Sequence, residues 1–167
     1  MTQAVNTLTQ RMMYPHSSAS VFVDASALAD GDYAGICALQ GCYAMAAITR
    51  EMGRFFLVLL RQKPLEGKMS GQLGNGSAYM PGVVLEKLPL SGCCMELKLE
   101  ACFDKGSDQV SFFYRETAGS GAWKRLGEPC PVYFTLEHFA GCRYGLSVFS
   151  TKKTGGSAVF HDFDYRL

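Results

Sequence analysis

Apolar and polar residues alternate with a period of two along most of this chain. Met95, Leu97, Leu99, Ala101 and Phe103 point one way, and Cys94, Glu96, Lys98, Glu100 and Cys102 the other. Successive side chains of an extended strand leave opposite faces, so this run predicts a strand with one face on a core and one towards solvent. Val110, Phe112 and Tyr114 alternate with Ser111, Phe113 and Arg115 in the same manner. Between the two runs, Asp104-Lys105-Gly106-Ser107-Asp108 has the composition of a hairpin turn. Ser20, Phe22 and Asp24 alternate with Val21 and Val23. Turn clusters stand at Asp30-Gly31-Asp32, at Ala118-Gly119-Ser120-Gly121 and at Thr154-Gly155-Gly156-Ser157. About a dozen short strands with evenly spaced turns predict an all-β sandwich or barrel. Gly67 to Pro81, rich in glycine, is predicted to be an exposed loop. Thr135 to Phe139 suggests one helical turn capped by Thr135. No repeat or linker interrupts the pattern, and residues 1–167 fit a single domain.

Composition narrows the functional classes. Apolar residues make up 48% and charged residues 19%, a globular balance. Sixteen Lys and Arg against fifteen Asp and Glu leave a net charge of +1 with no basic stripe, so nucleic acid is not an expected partner. Apolar runs such as Phe55 to Leu60 are strand-sized and far short of the roughly 20 residues a membrane helix needs, so no membrane partner is expected. Met1 to Ala4 lack the apolar stretch of a signal peptide. The seven cysteines are Cys37, Cys42, Cys93, Cys94, Cys102, Cys130 and Cys142, an odd count that argues against a disulfide framework. The chain as it stands is expected to be cytoplasmic, or extracellular if it is cut from a larger secreted protein. With no CxxC pair and three scattered histidines, a zinc site is not expected, and most cysteines are expected to be small buried hydrophobes.

Several stretches carry a resemblance. They are Asn6-Thr7-Leu8-Thr9-Gln10-Arg11, the run from Asp30 to Gly41, Val110-Ser111-Phe112-Phe113-Tyr114-Arg115 with Trp123-Lys124-Arg125-Leu126-Gly127, the run from His138 to Gly145 joined to Thr151-Lys152-Lys153-Thr154-Gly155-Gly156, and the closing Asp162-Phe163-Asp164-Tyr165-Arg166-Leu167. In this order they resemble the C-terminal β-sandwich of family 43 glycoside hydrolases, the β-xylosidase and α-L-arabinofuranosidase group. The resemblance implies a concanavalin A-like jelly roll of two packed antiparallel sheets. It also implies a non-catalytic role beside a five-bladed propeller that carries the catalytic carboxylates. The implied partners are that propeller and xylan or a related plant β-glycan. Only Met1 to Val5 precede the first matching stretch, where the family usually has further strands, so the chain is expected to be truncated or to be a divergent stand-alone module. The closing motif also lacks the aromatic that often stands between Tyr and Arg.

Candidate chemistry fits that picture. Of the carboxylates Glu51, Glu96, Glu100 and Glu137, Glu96 and Glu100 share the outward face of one strand. Four residues of strand separate them by roughly 13 Å, beyond the spacing of a glycosidase pair. No GxSxG elbow occurs, and the Gly71 to Gly76 stretch does not open a helix after a strand. Catalysis by this chain alone is not expected. A sugar site needs aromatic faces with a few placed polar groups. Tyr33, Gln40, Tyr43 and Arg50 on one strand pair, Arg143 and Tyr144 on another strand, and the single tryptophan Trp123 are the candidates, each with a plainer reading as packing. Gln40, polar within an apolar strand, needs a partner or a ligand. Asp162 and Asp164 alternate on the last strand and offer hard oxygen ligands to a structural calcium ion of the kind lectin-like sandwiches often hold. Three readings follow: a domain that docks on a propeller, a carbohydrate-binding module, and, least supported, part of an active β-xylosidase or arabinofuranosidase.

Overall fold

The computed structural model describes residues 7–40, 42–62, 82–116, 121–132 and 141–167. The predicted loop at Gly67 to Pro81, the helical turn at Thr135 to Phe139, and all but Gly121 of the predicted turn at Ala118 to Gly121 lie outside these residues. Among them run eleven strands: β1 (Thr7–Arg11), β2 (His16–Asp24), β3 (Asp32–Gln40), β4 (Cys42–Glu51), β5 (Arg54–Arg61), β6 (Val83–Pro89), β7 (Cys94–Cys102), β8 (Gln109–Arg115), β9 (Lys124–Pro131), β10 (Arg143–Ser150) and β11 (Val159–Arg166). They form two antiparallel sheets, one ordered β1-β10-β3-β4-β5-β6 and the other β11-β2-β7-β8-β9. The late strand β10 enters between β1 and β3, so the sheets close by long-range pairing rather than as a simple meander. This is the two-sheet sandwich that the resemblance implies, one of the two architectures that alternation alone left open. None of the helices among the described residues is long and apolar enough to cross a membrane.

Alternation assigns the faces. Ala19, Val21 and Val23 of β2 and Met95, Leu97, Leu99 and Ala101 of β7 point inward, against Ala34 and Ile36 of β3 and Ala46 and Ile48 of β4. Phe112 and Leu126 close the core from β8 and β9. The predicted hairpin between β7 and β8 is present, its turn a short 3-10 segment at Asp104–Gly106. A second apolar cluster lies on the opposite face of the six-stranded sheet, where Cys37, Tyr43, Met45, Ala47, Val58 and Leu60 are buried. Strand β4 is therefore buried on both faces. All seven cysteines are free thiols; Cys37, Cys42, Cys130 and Cys142 are buried, as small hydrophobes would be, and Cys93, Cys94 and Cys102 are half-buried.

Candidate functional site

The open face of the five-stranded sheet carries a cleft of about 720 Å³. Its floor follows from strand register. Ser18 pairs with Glu100, Ser20 with Lys98 and Phe22 with Glu96 across β2 and β7. Glu96 pairs with Arg115, and Lys98 with Phe113, across β7 and β8. These are the residues left outside when the apolar half of each strand turns inward. Trp123, just before β9, lines the cleft as well.

The last strand lines the cleft through a bulge. His161 pairs with Phe22 and Asp164 with Ser20, so Asp162 and Phe163 together oppose the single residue Val21. Asp162 takes a left-handed backbone conformation at φ 55°. Beyond the bulge Asp164 and Arg166 face the cleft, while Tyr165 turns to the core and meets Tyr144 edge-on at 5.9 Å. His161 packs over Phe22, with ring centroids 4.4 Å apart.

The charges of the cleft are paired. Arg115 Nε donates to Glu96 Oε2 at 2.6 Å, Lys98 Nζ to Glu100 Oε1 at 2.6 Å, and Arg166 Nε to Asp164 Oδ2 at 2.7 Å. The bond to Glu96 raises Arg115 above its already high range, so the guanidinium stays ionised at physiological pH. Two of these three cations also sit over Trp123, the Arg115 Cζ at 4.3 Å and the Lys98 Nζ at 4.8 Å from a ring centroid. The indole is thus held by cation–π contacts as well as by packing. The result is a wall of aromatic surface beside a lattice of oriented carboxylates, ammonium and guanidinium groups. Such a surface can hydrogen-bond many hydroxyls at once. It does not resemble a glycosidase acid–base pair, because Glu96 and Glu100 are each tied to a cation. Glu137 lies outside the described residues.

The sequence candidates do not converge on one place. Tyr33, Tyr43 and Arg143 occupy odd positions on the outer face of the six-stranded sheet, where Tyr33 stacks on Phe149 at 5.0 Å and Tyr43 is buried. Gln40, Arg50 and Tyr144 occupy even positions and turn to the other face. Tyr144 is 1% exposed, its hydroxyl 2.9 Å from Ser17 Oγ, and burial pushes its phenol well up. Gln40 is buried at one end of the core, and Arg50 donates to the Leu28 carbonyl at 2.9 Å. Arg143 donates to Thr9 at the sheet edge. Of the seven, Trp123 alone reaches the cleft. Sequence reasoning weighed Glu96 and Glu100 only as a catalytic pair and passed over Phe22, Lys98, Arg115 and Arg166. For most of them the available signal was the outward half of the alternation.

Asp162 and Asp164 both line the cleft, but each carboxylate already faces a basic group, His161 Nδ1 at 2.7 Å from Asp162 and Arg166 from Asp164. Among the described residues no third Asp, Glu, His or Cys completes a ligand cluster with them. Calcium takes 6–8 oxygens. These residues do not fit a calcium shell as they stand, and no role is assigned to the ion.

Comparison with known proteins gives a consistent picture. A family model described as the beta xylosidase C-terminal concanavalin A-like domain matches residues 1–166. A bifunctional GH43-CE protein of Bacteroides eggerthii is 31% identical, with a TM-score of 0.78 over 99% of this chain and 19% of its own. An engineered GH43 glycoside hydrolase with endo-xylanase and exo-arabinofuranosidase activity is 21% identical, with a TM-score of 0.81 over 97% of this chain and 31% of its own. A xylan beta-1,4-xylosidase from Bacillus halodurans shares the fold at 14% identity, with a TM-score of 0.67 over 95% of this chain and 29% of its own. A search of the curated proteins found no match. The chain thus spans between about a fifth and a third of these three larger chains.

Proposed function

The chain belongs to the family of beta-xylosidase C-terminal concanavalin A-like domains, and from that premise we propose that it is a non-catalytic accessory module that binds a plant β-glycan chain in the cleft of its five-stranded sheet. The observation that carries this reading is the cleft itself. It is open, about 720 Å³ in volume, and combines Trp123 and Phe22 with carboxylates, serine hydroxyls and two guanidinium groups. Aromatic surface takes the apolar face of a sugar ring, and the paired charges present fixed donors and acceptors to its hydroxyls. Xylan is the proposed ligand class, since relatives of this fold include a xylan beta-1,4-xylosidase. Affinity electrophoresis through gels with xylan, arabinoxylan or mixed-linkage glucan tests the reading. Retardation by one glycan is expected, and Trp123→Ala should weaken it about tenfold, the equivalent of ~1.4 kcal/mol. Tyr43→Ala, on the other sheet, should leave the cleft's affinity unchanged. Unhindered migration in every gel would overturn the proposal.

A second reading rests on a different face. Val83, Val84 and Leu85 are 50%, 47% and 49% exposed, three adjacent apolar residues on β6, which among the described residues is the last strand of its sheet. Such an edge favours burial against another domain. We propose that this edge docks on a family 43 catalytic propeller. Sedimentation of the chain mixed with a separately produced propeller should give a complex that Val84→Asp weakens. Independent sedimentation of the two would refute it.

A further inference from the structure

One rung beyond the cleft on the same open face, β2 and β7 bring together two thiols and a carboxylate. We infer that Asp24, Cys93 and Cys94 form a binding site for a thiophilic divalent cation of the zinc class.

Asp24 and Cys94 are direct cross-strand partners, the next outward pair after Phe22 and Glu96. Residues so paired have Cβ atoms only about 5 Å apart. Cys93 would face the opposite way if it belonged to the strand. It instead lies in the bend that precedes β7, and its sulfur swings to 3.7 Å from that of Cys94. Two thiolates bound to one tetrahedral zinc, each about 2.3 Å from it, stand about 3.8 Å apart. The three ligand atoms all lie within 4.8 Å of one another. Backbone bonds hold the arrangement from both sides. Ala25 N–H donates to the Cys93 carbonyl at 2.9 Å, and Ser26 N–H donates to Asp24 Oδ1 at 2.9 Å, which orients the carboxylate.

No CxxC spacing marks this trio, because the third ligand comes from a distant strand and the two sulfurs are neighbours in the chain. Three protein ligands leave a fourth position for water or a small ligand. Binding releases the two thiol protons to solvent and changes no oxidation state. Desolvation, with Cys93 and Asp24 alongside, pushes Cys94 up to about 12, so metal must compete with protons for it. The hydrogen bonds from Ser26 are the largest influence holding Asp24 below its ordinary range, so it is ready as an anionic ligand at neutral pH.

The test uses the reduced 167-residue chain and cadmium as a spectroscopic probe. One equivalent of Cd²⁺ should bind with a thiolate charge-transfer band, and Zn²⁺ should displace it. The double variant Cys93→Ser with Cys94→Ser should lose the band, and Asp24→Asn should weaken binding. Without any variant, Zn²⁺ should slow alkylation of Cys93 and Cys94, mapped by peptide mass spectrometry, and leave that of the half-buried Cys102 unchanged. An equal cadmium band in the double variant, or alkylation of Cys93 and Cys94 indifferent to Zn²⁺, would reduce the trio to a hydrogen-bonded cluster and overturn the inference.

Discussion

At Gly156 the chain has no room for a side chain. An added Cβ would stand 1.8 Å from Asp32 Oδ2 and 2.5 Å from the Ala29 amide nitrogen. Asp32 is fully buried, and its carboxylate accepts from the Ala29 N–H at 2.8 Å and from the Ser150 hydroxyl. Its carbonyl also accepts from Thr49 Oγ1 at 2.7 Å. Overpacking such a site costs about 1–3 kcal/mol, more where a buried acceptor loses its donors. Gly156→Ala should therefore lower the denaturant midpoint by that equivalent, and Gly155→Ala, with open space around it but positive φ, should cost less. From sequence, Asp32 and Gly156 were legible as turn residues and no more, because the contact joins positions more than a hundred residues apart. The face of Tyr33 relative to Gln40 was written in their odd and even numbers. What periodicity cannot say is which of the two faces is buried when a strand is apolar on both.

Among the elements, β7 and β8 were legible in full, down to their turn, because their alternation is strict and local. Strand β11 was not. Sequence spacing puts Asp162 and Asp164 on one face of a regular strand, and in the fold it is the bulge that brings both to the cleft, with Asp162 at φ 55°. A β-branched residue in that conformation costs about 1–2 kcal/mol, and glycine nothing steric. Asp162→Val should lower stability by about that amount in chemical denaturation, and Asp162→Gly should retain it. The bend that swings Cys93 beside Cys94 escaped sequence reading for the same reason. Both are departures from regular pairing that only the partner strand β2 defines.

Taken whole, the molecule buries several of its thiols and phenols. Cys142 is pushed up to about 12 by desolvation, Cys130 and Tyr43 are raised by burial, and Cys37 and Tyr144 are raised further still. In the unfolded chain these groups ionise from an ordinary thiol value of 9.0 upward, whereas the folded state keeps them neutral. Their contribution is therefore fully present below pH 9 and declines as the unfolded thiols ionise; the share of Cys142 is gone once pH passes about 12, while Cys37 and Tyr144 lose theirs at still higher pH. Urea midpoints measured between neutral and alkaline pH should fall steeply above pH 9. A flat profile would mean that these groups ionise in the folded state. At this scale alternation and turns made an all-β sandwich or barrel plain from sequence, and the family resemblance chose the sandwich. The position of the cleft was not, because it depends on the order β11-β2-β7-β8 across the sheet.

The bulge in β11 makes Asp162 a surplus letter in an otherwise regular word. Strike it out, and Phe160, Phe163 and Tyr165 fall on the inward beat, with His161, Asp164 and Arg166 on the outward one. A chain lacking Asp162 should then keep every remaining pairing between β11 and β2 and melt cooperatively near the parent temperature. A chain lacking His161 instead must drop the ring that packs on Phe22, and scanning calorimetry of the two shortened proteins should show it melting lower.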